Sequence, residues 1–188
     1  MEKSIMVDMD DVICEGGFLY LINEYLGTNY EKSYFKNFYM QDIIPDDCKN
    51  DFWKWFITKN QYDYCELLDG AYDTLKDINK YYKLYIGTSY IFRDIPYDCG
   101  HILSQKYDYL IKALPFISPS SYIFLTNKSA LQTDIKIDDR VDNLENTSRK
   151  ILFTAFHNQN IDNDTLCTMG IERADNWHDV RKKLIRKR

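Results

Sequence analysis

Four places in the sequence carry side chains able to act together chemically: Asp8-Met9-Asp10, Thr88-Ser89, Lys128 and Asp138-Asp139. Carboxylates two residues apart point to the same side of an extended chain, so Asp8 and Asp10 converge if a strand delivers them. Asp8 suits a nucleophile that attacks phosphorus and later releases the phosphoryl group to water, because a carboxylate can form that covalent intermediate. Asp10 then suits the proton work, as acid toward the leaving alkoxide and afterwards as base toward water. So many clustered carboxylates repel one another, and a hard divalent cation with oxygen ligands relieves this. Mg²⁺ held by carboxylates and substrate phosphate is the usual arrangement, and Asp8 with one or both of Asp138 and Asp139 are the candidate ligands. The hydroxyls and backbone N–H groups of Thr88 and Ser89, and the charge of Lys128, would serve the phosphoryl oxygens. The chemistry these groups define is magnesium-dependent phosphoryl transfer.

Singly, each part has an ordinary structural explanation. Asp and Thr-Ser pairs at strand ends are common turn formers and helix N-caps, and a lone lysine is commonly a solvated charge. Asp162-Asn163-Asp164 repeats the Asp-x-Asp spacing inside a polar stretch and means little. Asp138-Asp139 is the stronger element, because two acids straight after Ile135-Lys136-Ile137 put a carboxylate near a buried edge, which is costly without compensating charge. The weight lies in all four parts following apolar runs.

Those runs read as strands at 5–7, 84–86, 122–125, 135–137 and 150–154. Helical spacing covers 18–26, closed by Gly27, and then 51–58, 72–82, 104–112 and 176–185, the last with Trp177, Val180 and Leu184 on one face. This alternation predicts an α/β fold, a Rossmann-like parallel sheet with helices on both faces, whose strand ends share one rim. The aromatic, irregular stretch between the first two strands reads as a small helical cap over that rim. The expected division is a core of residues 1–14 and 69–188 and a cap of residues 15–68.

At 188 residues and 45% hydrophobic composition the chain suits one globular domain with an insertion. A net charge of −5 argues against nucleic-acid polymers and anionic membranes as partners, although the tail from Arg181 to Arg188 is basic. That tail reads as the solvated end of a C-terminal helix, where cations suit the macrodipole. Five scattered cysteines without a C-x-x-C pair fit a reducing cytosol, and no apolar leader or membrane-length run is visible. The expectation is a cytoplasmic protein. Its 16 tyrosines and 10 phenylalanines exceed ordinary usage, enough to line a pocket for a flat ligand and to admit a homodimer face.

The four motifs resemble those of the haloacid dehalogenase-like phosphatase superfamily. Asp8-Met-Asp10-Asp11-Val12, Glu15-Gly-Gly-Phe-Leu19, Thr88-Ser89, Ile137-Asp-Asp-Arg140-Val-Asp142 and Phe153-Thr-Ala-Phe-His157-Asn-Gln159 narrow the resemblance to the 5′(3′)-deoxyribonucleotidase family over nearly the whole chain. The resemblance implies hydrolysis of nucleoside monophosphates to nucleoside and phosphate, dependence on Mg²⁺, Asp8 as nucleophile and Asp10 as acid and base. It further implies metal ligation by Asp8, the Asp10 backbone carbonyl and Asp139 rather than Asp138. An aromatic base pocket is implied too, with Phe18, Phe38, Tyr39 and Trp53 as candidates, each of which equally suits a cap core. Two departures stand out. Asp11 occupies a position where a small residue is usual, and the segment between Val12 and Glu15 is shorter than the family's, which removes an aromatic that helps form the base site. No catalytic partner for His101, His157 or His178 is visible, and His157 reads as orienting the loop after the fifth strand.

Two other readings remain open at this level. The same chemistry suits a different small phosphate ester, since a cap would set specificity. A non-catalytic phosphate-binding or receiver-like signalling domain also groups aspartates, a hydroxyl and a lysine on a parallel sheet. Against it, a receiver places its phosphorylated aspartate on a later strand and needs no long aromatic insertion after the first.

Overall fold

A computed structural model describes residues 2–185 of the chain. Arg186, Lys187 and Arg188, the last residues of the basic tail, lie outside the described residues. The central strand β1 (Ser4–Val7) is buried almost throughout, as its Ile-Met-Val composition requires. Around it lie β4 (Lys83–Thr88), β5 (Tyr122–Phe124), β6 (Thr133–Asp138), β7 (Thr147–Phe153) and β8 (Ile171–Ala174), in the order β5-β4-β1-β6-β7-β8 and all parallel. A doubly flanked parallel sheet leaves a crevice beyond the carboxyl ends of its strands, and β1 sits beside the reversal of strand order where such crevices open. Gly87 in β4 is there for close approach, because a Cβ at that position would lie 2.4 Å from Met6 Sδ.

Helices α3 (Ala71–Tyr81) and α6 (Trp177–Leu184) bury Ala71, Leu75 and Ile78, and Trp177, Val180 and Leu184, against one sheet face. Each such aliphatic side chain contributes about 1.5–3 kcal/mol by leaving water. Arg181, Lys182 and Lys183 fall in the last turn of α6, where they complement the macrodipole, and Arg181 also pairs with Asp77 of α3. Beyond β7, Leu144, Leu152, Leu166 and Ile171 form a smaller cluster that includes helix α5 (Asn163–Thr168).

Between β1 and β4 the chain leaves the sheet through β2 (Cys14–Glu15), which pairs antiparallel with β3 (Glu66–Leu67) on the way back. The intervening residues hold α1 (Gly17–Leu26) and α2 (Lys49–Phe56). They bury a cluster of their own around Leu21, Ile22, Phe52, Trp53 and Phe56, closed by Cys99 and Ile102 at the start of α4 (Gly100–Ala113). Gly17 permits the tight exit from β2, since a Cβ there would meet the Gln61 carbonyl oxygen at 2.0 Å.

Four features differ from the sequence reading. Asp162-Asn163-Asp164, read as part of a polar loop, opens helix α5 instead, with Asp162 accepting from the Thr165 N–H as its N-cap. Strand β8 was unexpected, because Ile171-Glu172-Arg173-Ala174 is polar at its centre. It forms at the sheet edge, where Glu172 pairs with Arg149 of β7 at 2.6 Å. The β2–β3 pair is too short for any periodicity to reveal. Helix α4 begins at Gly100 instead of Ser104, the added turn being held by packing against α1 and α2. Among the described residues, no helix is long and apolar enough to cross a membrane.

Candidate active site

Register brings the first acidic residues together. Val7 is paired with Ile137, and the next amide, Asp8 N–H, donates to the Ile137 carbonyl at 2.9 Å, so Asp8 and Asp138 leave neighbouring strands side by side. One carboxylate oxygen each from Asp8, Asp138 and Asp139 lie within 4.8 Å of one another, and all three residues are buried. Lys128 Nζ, also buried, is 2.6 Å from Asp8 Oδ1 and 2.7 Å from Asp138 Oδ2. Burial opposes the charge on Lys128, but Asp8 and Asp138 outweigh it and hold the ammonium above its ordinary value. Burial and the neighbouring acids push Asp8 up to about 6 and Asp139 well above the usual carboxylate range.

The three acids are not equivalent. Asp138 is consumed by structure: Oδ2 takes Lys128, while Oδ1 accepts from Arg140 N–H at 3.0 Å and Asn143 Nδ2 at 2.9 Å. Asp139 Oδ2 lies 2.7 Å from His157 Nε2. Among the described residues no protein donor reaches Asp139 Oδ1 or Asp8 Oδ2, and both residues line a cavity beyond the strand ends whereas Asp138 does not. One lysine cannot balance three carboxylates, and the oxygen-only donor set with unclaimed oxygens on the cavity side fits a hard divalent cation.

Asp10 occupies a different environment. Its half-exposed side chain is ion-paired to the buried Lys106 and accepts from the Tyr62 hydroxyl at 2.9 Å. Burial, and then the charge of Asp10, push the Tyr62 phenol well above its ordinary value, so this hydroxyl stays a donor. Lys106 also donates to Thr88 Oγ1 at 2.7 Å. The Thr88 hydroxyl is thereby turned inward, and it is Ser89, Thr126 and Lys128 that reach the cavity.

The cavity has a volume of about 330 Å³ and opens from these polar groups onto Phe18, Phe38, Tyr39, Met40 and Phe92. Arg140 stacks over the Phe38 ring at 4.8 Å and Arg93 over Tyr39 at 4.1 Å. Of the four aromatic candidates, Phe18, Phe38 and Tyr39 line the cavity. Trp53 does not: it is buried behind Phe18, its ring stacked at 6.2 Å, as part of the helical cluster.

Asp11 has φ 57°, in the left-handed region that a residue without a Cβ adopts most easily, which is the backbone reason for a small residue there. Its carboxylate is ion-paired to Lys32, which also reaches Glu15 at 2.5 Å.

Sequence reasoning passed over Lys106, Tyr62, Lys32 and the partner of His157. Lys106 had a visible signal, since it shares a four-residue spacing with buried Ile102 and Leu110 and so puts a cation on the apolar stripe of α4. The Tyr62 and His157 contacts span 52 and 18 residues of chain and left none.

The fold is the one seen in haloacid dehalogenase-like hydrolases. Solved structures with this fold include such a hydrolase from Streptococcus pneumoniae (TM-score 0.62, 16% identity, 97% of this chain and 98% of that one). A second is a HAD family hydrolase from Deinococcus radiodurans R1 with bound phosphate and sodium (TM-score 0.53, 12% identity, 97% and 95%). Residues 2–188 match the family described as 5′ nucleotidase, deoxy (pyrimidine), cytosolic type C protein, and the chain belongs to that family. The 5′(3′)-deoxyribonucleotidase of Bacillus subtilis strain 168 and that of Bacillus phage SPbeta are each 28% identical over 197 residues, covering 98% of this chain and all of theirs.

Proposed function

We propose that the protein hydrolyses (deoxy)nucleoside monophosphates to nucleoside and phosphate through an aspartyl-phosphate on Asp8. The observation that carries this reading is the separation of the two motif carboxylates. Asp8 stands with Lys128 and an acidic cluster, and Asp10 stands with Tyr62 and Lys106, at the polar end of one aromatic cavity. Family membership supports the nucleotide as substrate.

Asp8 and Asp139, with the Asp10 backbone carbonyl, would hold Mg²⁺, and Asp138 would support them through Lys128. Mg²⁺ bound there offsets carboxylate charge and draws electron density from the phosphoryl oxygens. Asp8 attacks phosphorus while Asp10 hands a proton to the departing sugar oxygen. Ser89, Thr126 and Lys128 bind the phosphoryl oxygens as charge spreads over them. Asp10 then takes a proton from water as that water displaces phosphate from Asp8. Phe18, Phe38 and Tyr39 hold the base and exclude water, with residues 15–68 acting as the cap.

Phosphate release from 3′- and 5′-monophosphates and from sugar phosphates tests the substrate. Preference for nucleotides is expected, and equal rates on sugar phosphates would overturn the nucleotide reading. Asp8→Asn is expected to abolish turnover while phosphate still binds; retained turnover would remove Asp8 from the nucleophile's role.

A further inference from the structure

Tyr62 belongs to none of the motifs, yet among the described residues it makes the one side-chain hydrogen bond between the helical segment's return path and the proton-transfer residue. It lies on the single 3₁₀ turn Gln61–Tyr64 just before β3, is buried, and donates its hydroxyl to Asp10 Oδ1 at 2.9 Å. The other carboxylate oxygen, Oδ2, is taken by Lys106 of α4, which is itself held by Thr88 of β4. A single donor leaves a half-exposed carboxylate free to pivot about that contact. Two donors on different oxygens, delivered by separate elements, fix both its place and its rotation. Tyr62 cannot yield in turn, because its ring packs on Tyr109 at 5.4 Å and joins the main core cluster.

We propose that Tyr62 is a positioning residue for proton transfer by Asp10, which ties the acid–base group to the segment that covers the site. The inference rests on Asp10 being the acid and base of the proposed reaction. As the Asp8 carboxylate bonds to phosphorus and the ester P–O bond breaks, the Asp10 proton goes to the leaving oxygen. As water bonds to phosphorus and the Asp8–phosphorus link breaks, Asp10 recovers a proton from that water. Tyr62 keeps its own proton throughout and supplies only orientation.

A sugar alkoxide needs the proton as it leaves, whereas a nitrophenolate does not, so the two leaving groups separate orientation from general damage. In Tyr62→Phe, kcat/KM for a deoxynucleoside 5′-monophosphate is expected to fall on the order of tenfold, a fraction of what general acid catalysis supplies, with KM nearly unchanged. For p-nitrophenyl phosphate the fall is expected to be much smaller, and the melting temperature should stay near that of the wild type. Tyr62→Leu, which also empties ring volume, should melt lower yet keep the same difference between the two substrates. Equal losses on both substrates, or no loss in Tyr62→Phe, would overturn the inference while leaving the functional reading intact. A wild-type protein that releases phosphate from neither substrate would overturn that reading and the inference with it.

Discussion

His157 Nε2 lies 2.7 Å from Asp139 Oδ2, on the opposite side of the carboxylate from the oxygen left to the cavity. Burial, helped by Arg140, holds the imidazole down at about 4, so it is neutral near physiological pH and shares one hydrogen bond with the Asp139 carboxyl. Among the described residues this is the only side-chain hydrogen bond of His157, so its contact aims Asp139. Asn158 holds the loop after β7 separately, through the carbonyls of Asp139 and Phe153, each at 2.8 Å.

Removing the aiming contact should weaken the cation more than the chemistry. His157→Ala is expected to lower the apparent affinity for Mg²⁺ by about 10–100-fold, the usual effect of losing an outer partner of a metal ligand. At saturating Mg²⁺ the turnover should recover most of its value. A magnesium titration of phosphate release checks this, and an unchanged midpoint would detach His157 from the metal site.

The raised titration of Asp8 has a stability consequence in the metal-free protein. With a folded value of about 6 against 3.8 for an exposed aspartate, the native state keeps a proton that the unfolded chain has released. Stability from this group is full below the unfolded value and is lost as the pH rises through about 6. His157 works the other way over part of this range, so the wild-type curve alone does not isolate Asp8. In EDTA, the melting temperature of Asp8→Asn relative to wild type should climb as the pH is raised from 4 to 7. Stabilisation of the wild type by added Mg²⁺ should grow over the same window, because binding releases the proton.

Asp11 combines a left-handed backbone with an ion pair to Lys32, and burial outweighs that pair and keeps its carboxyl above the ordinary value. Asp11→Ala loses the Lys32 pair and keeps a left-handed residue, while Asp11→Gly loses the same pair and relieves the backbone. The glycine variant is expected to be more stable than the alanine variant by about 1 kcal/mol. Chemical denaturation of the two variants reads this directly; equal stabilities would mean that the left-handed turn is not retained in solution.

The aromatic residues divide into packing and lining. Trp53→Ala should cost about 3–5 kcal/mol through loss of a buried ring, with KM nearly unchanged in whatever fraction remains folded. Phe38→Ala should leave the melting temperature within a few degrees and raise KM for nucleotides, since Phe38 is half-exposed at the cavity wall. Melting curves and initial rates on the two variants separate these roles.

The alternation of short apolar runs with helical spacing made the parallel sheet legible, because a doubly covered strand must be apolar along its length. Strand β8 escaped for the opposite reason: an edge strand stabilised by Glu172 and Arg149 needs no apolar centre. Asp8 and Asp138 were legible because each directly follows an apolar run, and Asp10 and Asp139 follow them within two residues. Helical spacing at 51–58 marked Trp53 as part of a helix, but only packing shows that its ring is buried behind Phe18 while Phe38 lines the cavity.

By itself, the sequence determined which groups stand at the strand ends: Asp8, Asp10, Thr88, Ser89, Lys128, Asp138 and Asp139. Such positions follow from local patterning, and local patterning is written in consecutive residues. Tertiary structure alone decided how the acids divide their work. Lys128, Arg140 and Asn143 consume Asp138, His157 leaves Asp139 one oxygen toward the cavity, and Lys106 and Tyr62 take hold of Asp10. These assignments depend on hydrogen bonds between residues far apart in the chain, whose geometry exists only once the sheet and the helical segment have packed together.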